Sequence, residues 1–129
     1  MNRRYLLDTN ILIAVLNKDT AVVRRVGAVS EVLISVISIG ELLRGAYGSQ
    51  RMESNLQRVR GMAARLPVIP CTVATAESYG RIKQGLRSKG RPVPDNDIWI
   101  AATARQQGLV LATRDRHFRE IEELTIEEW

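Results

Sequence analysis

Five short apolar runs punctuate this chain: Tyr5–Leu7, Glu31–Ser35, Val68–Pro70, Leu109–Ala112 and Leu124–Ile126. Each is brief and apolar enough to read as a strand, and stretches of helical length and pattern fill the intervals. Strands alternating with helices indicate an α/β fold with a mainly parallel sheet. The chain of 129 residues has no internal repeat, low-complexity tract or linker, so it reads as one domain over residues 1–129. Open parallel sheets place their sites beyond the carboxyl ends of the strands. Asp8 stands directly at such an end, and Asp115 three residues past Ala112.

The helical segments carry start and stop signals. Ile11–Leu16 follows Asp8 and Thr9, either of which can cap it, and Thr20 is a candidate cap for a helix through Ala28. Ser38 is a candidate cap for a helix through Glu41 to about Tyr47, where Gly48 offers a stop. Arg51–Leu66 is the clearest helix, with Met52, Leu56, Val59, Ala63 and Leu66 as its buried stripe. Arg51, Arg58 and Arg65 share another face of it, placed to guide a polyanion or to meet an acidic partner. Ala74–Leu86 reads as a helix, Ser88–Pro94 as a loop, Asp97–Gln107 as a helix stopped by Gly108, and Thr113–Phe118 as a turn or short helix.

Composition narrows the classes of function. The single cysteine, Cys71, cannot form an internal disulfide and reads as a small buried hydrophobe. No Cys/His cluster has zinc spacing. The opening Met1-Asn2-Arg3-Arg4 leads into an apolar stretch that Asp8 cuts short, unlike a signal peptide. No apolar run approaches the roughly 20 residues that span a bilayer, so no membrane is expected and the protein reads as cytoplasmic. The net charge of +5 favours a polyanionic partner. Ten basic residues lie between Leu42 and Pro94 against only Glu53 and Glu77, whereas the end of the chain is acidic, with Glu120, Glu122, Glu123, Glu127 and Glu128.

The acids that sit among apolar neighbours carry the chemistry. Asp8 follows a buried run, Glu41 lies between Ile39 and Leu42, Asp97 precedes Ile98-Trp99-Ile100, and Asp115 follows a strand. A buried carboxylate is costly, and several together repel, so such acids protonate or share a cation. Oxygen ligands without Cys or His select Mg²⁺, with Mn²⁺ as the other option. Each acid also has a structural use: Asp8 as a helix cap, Glu41 as a partner of Arg44, Asp95 as the cap after Pro94, Asp97 in a first helical turn, and Asp115 in a turn.

The wording around these acids resembles the PIN-domain ribonucleases, above all the VapC toxins of type II toxin–antitoxin pairs. The matching segments are Leu7-Asp8-Thr9-Asn10, Ser35-Val36-Ile37-Ser38-Ile39-Gly40-Glu41-Leu42, Asn96-Asp97-Ile98-Trp99-Ile100-Ala101-Ala102, and Leu111-Ala112-Thr113-Arg114-Asp115-Arg116-His117-Phe118, in the family's order. The resemblance implies a three-layer α/β/α sandwich with a parallel sheet of four or five strands. It implies Mg²⁺- or Mn²⁺-dependent endonuclease cleavage of RNA, a cognate antitoxin that blocks the site, and a homodimer. Asp8, Glu41, Asp97 and Asp115 match the metal-binding acids, and Asn10 and Thr113 match polar residues that orient them. Asp95 and Ser38 are candidate accessory residues, and Arg114 and Arg116 candidate contacts to RNA. His117, the one histidine, reads as a structural or surface group.

Other readings stay open on the sequence. A phosphatase with an aspartyl nucleophile at Asp8 would want a second Asp two residues on, where Asn10 stands. A binding module without catalysis, and a PIN nuclease acting in RNA maturation, are the remaining alternatives.

Overall fold

β1 (Arg4–Leu7) forms the centre of a five-stranded sheet in a computed structural model that describes residues 3–129. Met1 and Asn2, where the leader argument begins, lie outside the described residues. The other strands are β2 (Glu31–Ser35), β3 (Val68–Ile69), β4 (Val110–Thr113) and β5 (Ile126–Glu128), in the order β3-β2-β1-β4-β5. Every pairing is parallel. The chain first builds outward through β2 and β3, then returns to the other side of β1 to lay down β4. The order therefore reverses between β1 and β4, where Leu6 pairs with Leu111 and Leu7 with Ala112. That reversal is where an open α/β sheet forms its crevice.

Helices cover both faces, which is why the central strands read as continuous apolar runs. α1 (Thr9–Leu16), α2 (Thr20–Ala28), α3 (Val36–Tyr47) and α4 (Met52–Arg65) pack with Tyr5, Leu7, Val32, Ile34, Val110 and Ala112. α5 (Val73–Lys89) and α6 (Asp95–Gln107) pack on the other face, with Leu6, Leu33 and Leu111. Side chains alternate faces along each strand, so two cores are fed by three strands in phase. The result is the expected three-layer α/β/α sandwich, with five strands.

Several boundaries differ from the sequence reading, for local reasons. α3 starts directly after β2 because the Ser35 hydroxyl accepts from the Ile37 amide at 3.1 Å, so Ser38 is a buried interior residue and not the cap. Asp19, not Thr20, caps α2, accepting from Ala21 and Val22. Asp95 is not a cap either: Pro94 holds that position, and Asp95 is the first helical residue. In α4 the buried residues are Leu56, Val59 and Met62, while Met52 is exposed because the first turn overhangs the core. α5 runs on into the expected loop and stops at Gly90, in the left-handed region at φ 65°. β5 starts two residues later than read and includes Glu127 and Glu128, which an edge strand tolerates. Cys71 is exposed in the β3–α5 turn, not buried.

A 3₁₀ helix, Arg116–Glu120, follows β4 and is pinned by Phe118, which is fully buried in the second core. This anchor sits three residues from Asp115. Phe118→Ala should destabilise the protein by about 3–5 kcal/mol, read as a lowered urea midpoint. A change within experimental error would mean that the segment is not held by this side chain.

Candidate active site

Asp8 is the single residue between β1 and α1, so one carboxylate stands at the strand end and at a helix start together. It is buried, at 4% exposure. Its Oδ1 accepts from the Thr9 amide at 2.8 Å and its Oδ2 from the Thr113 hydroxyl at 2.7 Å. Thr113 is the last residue of β4, next to β1, and its oxygen also accepts from the Asp115 amide at 2.9 Å. One threonine thus ties Asp8 to the turn that carries Asp115. Asp115 caps the 3₁₀ helix: its Oδ1 accepts from the His117 amide at 2.9 Å and lies 2.7 Å from His117 Nδ1.

Glu41 projects from α3 and is half-buried. Its Oε1 accepts from the Thr9 hydroxyl at 2.6 Å and its Oε2 from Asn96 Nδ2 at 3.4 Å. The Thr9 oxygen is 2.9 Å from the Ser38 hydroxyl. Thr9 has one hydroxyl proton; given to Glu41, it leaves the oxygen to accept from Ser38. Asp97 lies in the first turn of α6, half-buried, and among the described residues no donor reaches its carboxylate.

The four acids sense one another. Burial, then the charges of Asp8, Asp115 and Glu41, push the Asp97 carboxyl from 3.8 up to about 6. Asp8 is also raised, chiefly by burial, with Asp115 and Glu41 adding and the Thr113 and Thr9 hydrogen bonds opposing. The acids do not form a finished cage: among the described residues no group of three stands close enough to hold an ion as it is. Hydrogen bonds hold Glu41 to Thr9 and Asp115 to His117. The donor set is all carboxylate oxygen, which fits a hard divalent ion.

The remaining candidates divide. Ser38 joins the group through Thr9. Asn10 touches none of the acids; its Oδ1 accepts from the Arg114 amide at 3.4 Å. Asp95 turns away toward α5, accepting from Lys83 Nζ at 2.7 Å and the Tyr79 hydroxyl at 3.0 Å. Arg58 donates to the Leu16 carbonyl and Arg65 to the Gly61 carbonyl, so that face is partly engaged within the protein. Thr9, which reads from sequence as a helix cap, and Asn96, which carries no role there, both belong to the site, and each is adjacent in the chain to one of the acids. The available signal was position: both begin helices at the same edge of the sheet.

Against known proteins, residues 5–124 match the family model for the PIN domain. The chain is 35% identical over 129 residues to the tRNA(fMet)-specific endonuclease VapC of Shigella flexneri, covering 98% of both chains. It is 32% identical over 130 residues to Ribonuclease VapC1 of Haemophilus influenzae, covering 97% of each. In structure it resembles a chain of DNA-bound VapBC from Salmonella typhimurium, with a TM-score of 0.92, 35% identity, and coverage of 100% of this chain and 99% of that one.

An acid whose pKa rises on folding binds its proton more tightly in the native state. Its contribution is full below 3.8 and is lost as pH rises through about 6. In EDTA, the stability of wild type relative to Asp97→Asn should therefore fall across that interval, leaving the variant the more stable at neutral pH. Urea melts of both proteins across this range test it, and a constant difference would contradict the coupling.

Proposed function

This chain belongs to the PIN-domain family, and from that premise we propose that it is a divalent-metal-dependent endoribonuclease, the toxin of a VapBC-type toxin–antitoxin pair. One observation carries the metal-dependent part. Asp97 is half-buried, has no hydrogen-bond donor among the described residues, and is pushed up to about 6 by burial and by three neighbouring acids. Such a carboxylate lacks what would settle it within the protein, and a cation is the simplest complement.

Asp8, Glu41, Asp97 and Asp115 would hold Mg²⁺ or Mn²⁺. When bound, such an ion supplies Lewis-acid activation of water and charge stabilisation on the phosphodiester. The protein's own part is orientation. Thr113 and the Thr9 amide fix Asp8, Thr9 and Asn96 fix Glu41, and the His117 amide holds one oxygen of Asp115, leaving the other open. Asp97 keeps both oxygens free of donors among the described residues. No side chain is needed as a nucleophile.

The partner reading rests on relatives. The neighbours from Rickettsia felis and Salmonella typhimurium are VapBC complexes bound to DNA. By extension this toxin pairs with a cognate antitoxin, and with a second copy of itself. No helix among the described residues is long and apolar enough to cross a membrane, and we place the protein in the cytoplasm, with its RNA.

Asp8→Asn, Glu41→Gln and Asp97→Asn should each abolish cleavage of RNA while the protein stays folded. Thr113→Val should weaken Mg²⁺ affinity by about 10–100-fold, read as a higher Mg²⁺ concentration for half-maximal cleavage, as loss of an orienting partner does. Induced expression of wild type and Asp97→Asn, followed by mapping of RNA ends, tests the reading in the cell. Cleavage that persists in EDTA or in Asp97→Asn would sink it.

A further inference from the structure

Two arginines flank Asp115, and their surroundings are opposite. Arg114 is engaged three times: its amide donates to Asn10, its Nε to the Trp129 carbonyl at 3.3 Å, and a terminal nitrogen to Asp19 Oδ2 at 3.2 Å. Asp19 in turn caps α2. Arg114 therefore staples the Asp115 turn to the start of α2 and to the strand that ends the sheet. Arg116 is exposed, and among the described residues its guanidinium has no acid, carbonyl or aromatic ring as partner.

Arg116 borders an open cleft of about 610 Å³ whose other lining residues are Asn10, Arg114, Asp115, His117 and Glu120. Two other charges at this cleft are paired, Arg114 with Asp19 and Glu120 with Arg91 at 3.7 Å, and Asp115 is hydrogen-bonded to His117. Arg116 is left as the unmatched cation beside an acidic centre that, by itself, repels a polyanion. A guanidinium can fork onto a phosphate with two parallel hydrogen bonds. Arg114 could do so only by giving up the staple.

We propose that the two arginines divide the work: Arg116 binds an RNA backbone phosphate next to the scissile one, while Arg114 is a positioning residue for Asp115 and touches no RNA. This rests on the nuclease reading above. The cleft beside Asp115 is then the groove along which the strand leaves the metal centre.

Binding of a 5′-labelled, mixed-sequence single-stranded RNA is measured against KCl concentration in an Asp97→Asn background, where the RNA is not cut. Adding Arg116→Ala should make the slope of log K against log salt shallower by about 0.7, the loss of one phosphate contact. Arg116→Lys, which keeps the charge, should restore it. Arg114→Ala should leave the slope unchanged but lower the melting temperature. With the acids intact, Arg116→Ala should raise KM about tenfold with little change in kcat, and Arg114→Ala should raise the Mg²⁺ concentration needed for half-maximal cleavage. An unchanged slope in Arg116→Ala overturns the proposal, as does a slope lost equally in Arg114→Ala without a fall in melting temperature. If wild type fails to cut total RNA in Mg²⁺, the nuclease reading has failed and takes this one with it. If wild type cuts and the slopes do not differ, the division between the arginines alone has failed.

Discussion

The hydrogen bond from Thr113 to Asp8 joins the carboxyl ends of β1 and β4 at the point where the sheet reverses its order. A buried carboxylate left without such a donor costs on the order of 1–3 kcal/mol or more. This one has two donors, and the threonine oxygen in turn accepts from the Asp115 amide. The two strands stay paired up to that contact, with the Asp8 amide donating to the Ala112 carbonyl at 2.9 Å, and the acids stand beyond their carboxyl ends. Glu41 and Asp97 reach that place because α3 and α6 both begin at the same edge.

Helix caps and metal ligands are alternatives on paper, but in the fold they coincide. Asp8 caps α1, Asp97 sits in the first turn of α6 and Asp115 caps the 3₁₀ helix. Each helix start presents amide groups and a positive dipole end, which favour a nearby negative charge. Helix starts carry three of the four carboxylates, and Glu41 joins them from the second turn of α3. Burial first, and the neighbouring acids after it, still hold the Asp8 and Asp97 carboxyls above the ordinary carboxylate range.

The strands were legible because burial on both faces writes them as continuous apolar runs, and the acids because they interrupt those runs. Caps were less legible. Ser35 wins over Ser38 only because β2 ends there, and Asp19 over Thr20 because the preceding turn leaves its side chain facing the free amides. Contacts between distant segments were not legible at all. The basic middle and acidic end look like two opposed regions in sequence, yet Lys89 and Arg91 of that middle pair with Glu122 and Glu120, and Arg105 beyond it with Glu123. Likewise Arg114 and Arg116 are indistinguishable by spacing and sharply different in their partners. Cys71 next to Pro70 read as core, but the two-residue strand before it ends too early to carry it inside.

The contact between Thr113 and Asp8 spans 105 residues of chain. During synthesis, which proceeds from the amino end at about 5–20 residues per second, Asp8 is made roughly 5–20 seconds before its buried partner exists. Over that interval β1 lacks one of its two neighbours, Asp97 is missing for most of it and Asp115 for all of it. The polar contact that fixes Asp8 therefore forms only after Thr113 has been made, and no arrangement of the four acids precedes it.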